Sequence, residues 1–93
     1  MKTVDLYLHE NRWLRAVGFL LIRLNASKDE VIYYRQQKRE ALERFNEGAV
    51  FAYADTIKEI LCRVDRHYQL FIDPEDRNEY KVRYLTDEEL KDY

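Results

Sequence analysis

The chain has little of what interrupts helices and little of what performs chemistry. Its 93 residues include two glycines, one proline, one cysteine and one serine. Pro74 is late, so the stretch before it can run as long helices with few breaks. Two glycines cannot build a phosphate-cradling loop. The single Cys62 excludes an intramolecular disulfide and suits a reducing compartment, so a cytoplasmic location is expected. Ser27 sits where a helix cap is needed, which leaves a Ser/His/Asp arrangement little to draw on. Long hydrophobic runs are missing too. The longest, Ala16 to Ile22, is closed by Arg23 and is too short to span a bilayer. The first fifteen residues carry Asp5, Glu10, Arg12 and Arg15 and do not fit a signal peptide. No membrane is expected among the partners.

What is present is a globular composition, 46% hydrophobic and 37% charged. A chain of this length makes one domain, residues 1–93, and buries roughly 60–65% of its unfolded surface. Eight tyrosines suit half-buried seams and interfaces, having apolar area and a polar tip, and they suit the edge of a small core equally well. The formal charge of −2 is unevenly spread: residues 12–66 hold eleven basic and eight acidic side chains, residues 73–93 four basic and eight acidic. A mildly basic helical body with an acidic end argues against a general nucleic-acid binder.

Periodicity predicts three helices, at about 4–25, 28–46 and 49–66. The opening of the first could instead be a strand over residues 3–8. Ser27 with Glu30 reads as a capping box that starts the second helix. Asn46-Glu47-Gly48 is the main punctuation and is expected to break or kink the chain, although a helix interior tolerates a glycine at a cost of ~1 kcal/mol. Tyr68–Ile72 and Tyr80–Tyr84 alternate around a proline turn at Asp73–Asp76, which predicts a hairpin over about 68–73 and 79–85. Thr86 with Glu89 is a second capping box, for a short helix at about 87–92. The fold class read from the sequence is therefore α+β and mostly helical: a three-helix bundle, a C-terminal β-hairpin and a short terminal helix.

Motifs for chemistry fail one by one. His9-Glu10 begins a zinc-protease pattern, but Trp13 stands where the second histidine is needed. Cys62 and His67 lack further close ligands, and Asp73–Asp76 lacks the alternating oxygens, glycine and glutamate of a calcium loop. No metal, cofactor or catalytic residue is expected, and the chain is not read as an enzyme. Glu10 and Lys38 each interrupt an apolar stripe. They either form a shielded salt bridge between helices 1 and 2 or snorkel to water where those helices diverge.

The first helix carries the informative pattern. Leu6, Trp13, Leu14, Val17, Leu20, Leu21 and Leu24 share one side, the stripe that folding requires. Leu8, Phe19 and Ile22 fall on the other side, beside Arg12 and Arg15, with the composition of an interface centre and an arginine rim. This chain, a second copy or another protein must cover them, so they are the expected protein-binding residues. Three helices and a hairpin also match the element order of a winged helix-turn-helix regulator. However, the expected recognition helix opens Ala49-Val50-Phe51-Ala52-Tyr53-Ala54-Asp55, with nothing to read bases or phosphates. DNA binding stays the alternative, carried by Arg12, Arg15, Arg35 and Arg39.

The segment Phe45-Asn46-Glu47-Gly48-Ala49-Val50 through Ile57, Ile60 and Leu61 resembles a phrase in small accessory proteins of phages and mobile elements of Gram-positive bacteria. The resemblance covers about seventeen residues, belongs to no named family and transfers no site residue. It implies a small regulator or inhibitor that docks on a host or phage protein, a class that includes inhibitors of bacterial defence such as anti-CRISPR proteins. Homodimerisation is the other expected mode.

Overall fold

The computed structural model describes residues 2–92, as an α+β chain with strand β1 (Lys2–Val4), helices α1 (Arg12–Gln36) and α2 (Glu40–Val64), strands β2 (Tyr68–Asp73) and β3 (Glu79–Tyr84), and a short helix α3 (Asp87–Lys91). The two long helices form an antiparallel hairpin, and the strands form an antiparallel sheet of order β1-β3-β2 that lies on it, β2 against α2 and β3 against α1. The molecule measures 45 × 26 × 19 Å, its length set by helices that each rise about 37 Å. The sheet covers one end of the hairpin only. Leu6, Leu14, Val17, Leu24, Ala54, Ile57, Leu61 and Val82 make the core there, whereas the other end buries little beyond Val31 and Asn46.

The expected three-helix bundle is thus corrected to two helices, with boundaries set by local physics. α1 starts at Asn11, whose side-chain oxygen accepts from the N–H groups of Trp13 (2.9 Å) and Leu14 (3.2 Å). Residues 5–10 form a turn ahead of it, and of the strand expected as the alternative over residues 3–8 only Thr3 and Val4 are strand, within β1 (Lys2–Val4). Ser27 and Glu30 lie inside α1, because an N-cap worth ~1 kcal/mol cannot outweigh continuous packing against α2. Gly48 likewise lies inside an unbroken α2. The reversal comes instead at Gln37–Arg39. Arg39 N–H bonds the Tyr34 carbonyl (3.0 Å), Lys38 N–H bonds the Arg35 carbonyl (3.1 Å), and Lys38 takes a left-handed φ of 56°. This is a Schellman closure made without glycine. Glu10 and Lys38 accordingly sit exposed in two turns rather than in a shielded pair.

The hairpin and terminal helix match expectation closely. Asp76 N–H closes the proline turn on the Asp73 carbonyl (3.2 Å). Lys81 Nζ clamps Asp73 (2.9 Å) and Asp76 (2.8 Å), which raises the lysine pKa and lowers both carboxyls. The Thr86–Glu89 capping box closes with both of its bonds.

Two contacts dock the sheet. At Gly18 the backbone of Leu6 and Tyr7 crosses α1 so closely that an added Cβ would stand 2.4 Å from the Tyr7 nitrogen. On β3, Val82 and Tyr84 pair with β1, and past the end of β1 the Asn25 side chain serves as the missing strand. Its Nδ2 donates to the Tyr80 carbonyl and its Oδ1 accepts from the Tyr80 N–H, both at 2.9 Å.

The two glycines should therefore respond oppositely to alanine in urea unfolding. Gly48→Ala, with nothing within 4 Å of the new methyl, should stabilise by ~0.5–1 kcal/mol. Gly18→Ala should destabilise by ~1–3 kcal/mol as the crossing segment is pushed off α1. Asn25→Ala leaves both Tyr80 backbone groups unpaired and should cost ~1–3 kcal/mol in the same assay.

Candidate protein-binding surface

All five expected protein-binding residues are exposed. Arg12, Arg15, Phe19 and Ile22 follow a 3-4-3 spacing along α1, which places them in one stripe about 15 Å long. Phe19 is 55% and Ile22 58% exposed, values that separate them from the core. Leu8 is not on the helix: it projects, 78% exposed, from the turn preceding α1. Trp13, expected on the core side, is 53% exposed, with the Arg12 guanidinium 5.5 Å from its ring. Arg15 Nη1 donates to the His9 carbonyl (3.1 Å), which ties the stripe to the turn. The Gly18 crossing runs along one side of this stripe: the segment lies over Gly18, and Phe19 and Ile22 lie beside it on α1 with their apolar surface uncovered.

Of the four arginines assigned to the DNA-binding alternative, Arg12 and Arg15 lie in that stripe, and Arg35 and Arg39 are not brought together with it. Arg35 spans the two helices, its Nε on Glu43 (3.0 Å) and its Nη2 on Glu47 (3.5 Å); the Glu43 bond foremost raises its pKa. Arg39 is the N-cap residue of α2 and makes no side-chain cap bond. Since the expected second and third helices do not exist as such, the element order is not that of a winged helix.

A second feature, not read from the sequence, is an apolar groove of about 840 Å³ that α2 and strand β2 form together with Lys28 and Val31 of α1 and Tyr80 of β3. Val31, Val50, Phe51, Ala54, Leu70 and Ile72 line it, and Gly48 opens onto it. Phe45 and Phe51, each 73% exposed, lie off the buried stripe of α2 and were the available signal. Reading Gly48 as a break hid that the two share one helix. Among the described residues, no group of three or more His, Cys, Asp or Glu could hold a metal, and no helix is long and apolar enough to cross a membrane. Cys62 is exposed.

A titratable cluster joins the end of α2 to α3. His67 Nε2 meets Asp87 and His67 Nδ1 meets Asp65, both at 2.7 Å, with the ring stacked on Tyr84. The Asp87 bond, then the Asp65 bond, raise the His67 pKa. Burial pushes Asp65 up, but the His67 backbone and ring bonds together bring it below the usual carboxylate range. Compared with known proteins, the chain matches no family model, no curated protein and no solved structure.

Because folded His67 binds its proton more tightly than unfolded His67, whose pKa is about 6.5, its stabilisation is fully present below that pH. It is lost as pH rises through the folded pKa. Melting temperature should fall over that window, and His67→Gln should flatten this part of the profile.

Proposed function

We propose that the chain is a small non-enzymatic protein-binding module, a regulator or inhibitor that acts by docking the Leu8–Ile22 side of α1 on another protein. The observation that carries the reading is the continuous stripe Arg12-Arg15-Phe19-Ile22, extended by Leu8 and Trp13, whose apolar members remain exposed although the core is complete without them. Interfaces are enriched in aromatic and arginine side chains around an apolar centre, and this stripe has that composition. Its two cations favour a partner that presents an apolar patch bordered by carboxylates. The resemblance of residues 45–61 to small accessory proteins of phages and mobile elements supports a host or phage protein as that partner, in the manner of anti-defence or anti-CRISPR inhibitors.

Phe19→Asp combined with Ile22→Asp should leave circular dichroism and melting temperature close to wild type, since both sites face solvent. The same pair should abolish recovery of a partner that wild type retains on affinity capture from the source cell. Arg12→Glu with Arg15→Glu should weaken that recovery and its salt dependence. Light scattering separates the homodimer: a wild-type mass of two chains that falls to one in the double variant makes the partner a second copy. Unfolding of the double variant would assign the stripe to the core and remove the reading.

A further inference from the structure

We propose that the free edge of β2, together with the groove beside it, is a second binding site, one that takes an extended, alternately apolar peptide segment of another protein, with acidic ends, as a fourth strand.

The ladder shows which backbone groups are open. Leu85 N–H bonds the His67 carbonyl (2.8 Å), which fixes the hydrogen-bonding phase of the β2–β3 pair. Pairs in an antiparallel ladder alternate, so Gln69, Phe71 and Asp73 bond to β3 while Tyr68, Leu70 and Ile72 turn their N–H and C=O outward. The same phase turns Tyr80, Val82 and Tyr84 of β3 the other way, onto Asn25 and β1, as observed. Tyr68 N–H is taken by the Asp65 carbonyl (3.1 Å). Among the described residues, no hydrogen bond engages the outward groups of Leu70 and Ile72. These two residues also line the groove. Their side chains face the helices and their backbones face the empty edge, so a strand added there would drop alternate side chains onto Phe51, Ala54 and Val50.

Exposed edges are ordinarily blunted by charge, proline, bulges or brevity. The β1 edge is three residues long and begins with Lys2, whereas β2 offers Tyr68-Gln69-Leu70-Phe71-Ile72 with no charge and no proline before Asp73-Pro74. The combination of open backbone and adjoining apolar pockets is the one used in strand-addition recognition.

The occupant is a lone strand rather than a second copy. α2 packs against β2, on one face of the edge strand. Two copies joined through β2 in one sheet would set their edge strands about 4.8 Å apart. The α2 helices beneath would then be about equally close, whereas packed helices need 8–10 Å between axes. A single extended chain has no helix under it and fits. The groove wall also states a charge preference. Lys28 is held by the carbonyls of Arg77 and Asn78, and Glu47 by Arg35. Among the described residues, Arg44 and Lys58, at opposite ends of the α2 wall, have no partner, and they stand about 21 Å apart by helix rise, the span of some six or seven extended residues. Asp55 between them leaves the free charge positive. Carboxylates at both ends of the bound segment match it.

The probe is a fluorescein-labelled peptide, acetyl-Glu-Val-Thr-Val-Thr-Val-Glu-amide, read by fluorescence anisotropy with the full chain. Saturable binding is expected, weakened at least about tenfold by Gly48→Leu, which fills the groove from a position where an added side chain meets nothing. That variant should keep or raise its melting temperature, so loss of binding cannot be loss of fold. N-methylating the valine amides and, separately, the threonine amides blocks one edge of the strand at a time. Retention with one set and loss with the other is expected. The Phe19→Asp, Ile22→Asp chain should bind this peptide as wild type does, which keeps the test separate from that of the α1 stripe. No saturable binding, equal effects of the two methylated sets, or equal binding of a lysine-ended peptide would overturn the proposal. So would sedimentation of the chain as a dimer that Gly48→Leu splits, because a second copy would then hold the edge.

Discussion

The Leu6–Tyr7 backbone crosses α1 at Gly18 in the space a Cβ would take, and the sheet's asymmetry follows from that crossing. A helix normally keeps a crossing segment at the distance of a side chain; here the missing Cβ lets main chain lie on main chain. Leu6 is thereby carried into the core at 3% exposure, and the residues before it reach β3 in register, Lys2 opposite Tyr84 and Val4 opposite Val82. The outer side of β3 is covered by that strand and by Asn25. Among the described residues, no strand covers the outer side of β2, and the groove lies beside it. Had the segment been held off by a side chain at residue 18, both edges would stand open and Leu6 would leave the cluster that also holds Val17, Leu24 and Val82.

Stability is correspondingly lopsided. Leu24, Ile57, Leu85, Val17 and Val82 are the largest fully enclosed side chains, all at the end where sheet and helices meet. The far end of the helical hairpin depends on Val31, on Asn46 bonded back to the Leu42 carbonyl, and on Arg35 reaching across to Glu43 and Glu47. Regions with few buried apolar contacts open at lower free energy than the core. The groove lies where these regimes join, with one wall anchored in the core through Ala54 and the other a hairpin strand held from one side only.

The sequence carried the parts of the fold that local chemistry decides. The hairpin was legible because Asp73-Pro74 names its turn type and Tyr80-Lys81-Val82-Arg83-Tyr84 alternates without exception. The Thr86–Glu89 box was legible for a similar reason, since both partners sit within one turn. The helix ends were not. A Schellman closure with lysine at its left-handed position leaves no glycine to mark Gln37–Arg39, while Ser27 and Gly48 advertise ends that tertiary packing overrides. Trp13 was expected inside and stands outside because it sits in the first turn of α1, which begins at Arg12 rather than near residue 4. For the α1 stripe, periodicity found Phe19 and Ile22 but could not show that Gly18 beside them receives a crossing backbone segment. No local pattern encodes that long-range contact. The groove was illegible for the same reason: it exists only once β2 is laid beside α2.

An uncharged edge strand next to an apolar groove would ordinarily invite a chain to pair with its own copies. The position of α2 under β2 changes what that edge can accept. A strand spacing of about 4.8 Å is less than half the diameter of a helix with its side chains. A partner that brings a helix beneath its own edge strand on the same face of the shared sheet, as an antiparallel second copy would, is therefore excluded, while a bare extended segment is not. The same helix that makes the groove's wall and supplies Phe51 to its lining thus filters by thickness. Selectivity between a folded copy and an extended peptide then needs no specific side-chain clash. It follows from which layer of the fold stands behind the open edge, and hence from Gly18, which lets the N-terminal segment cover β3 while β2 stays open.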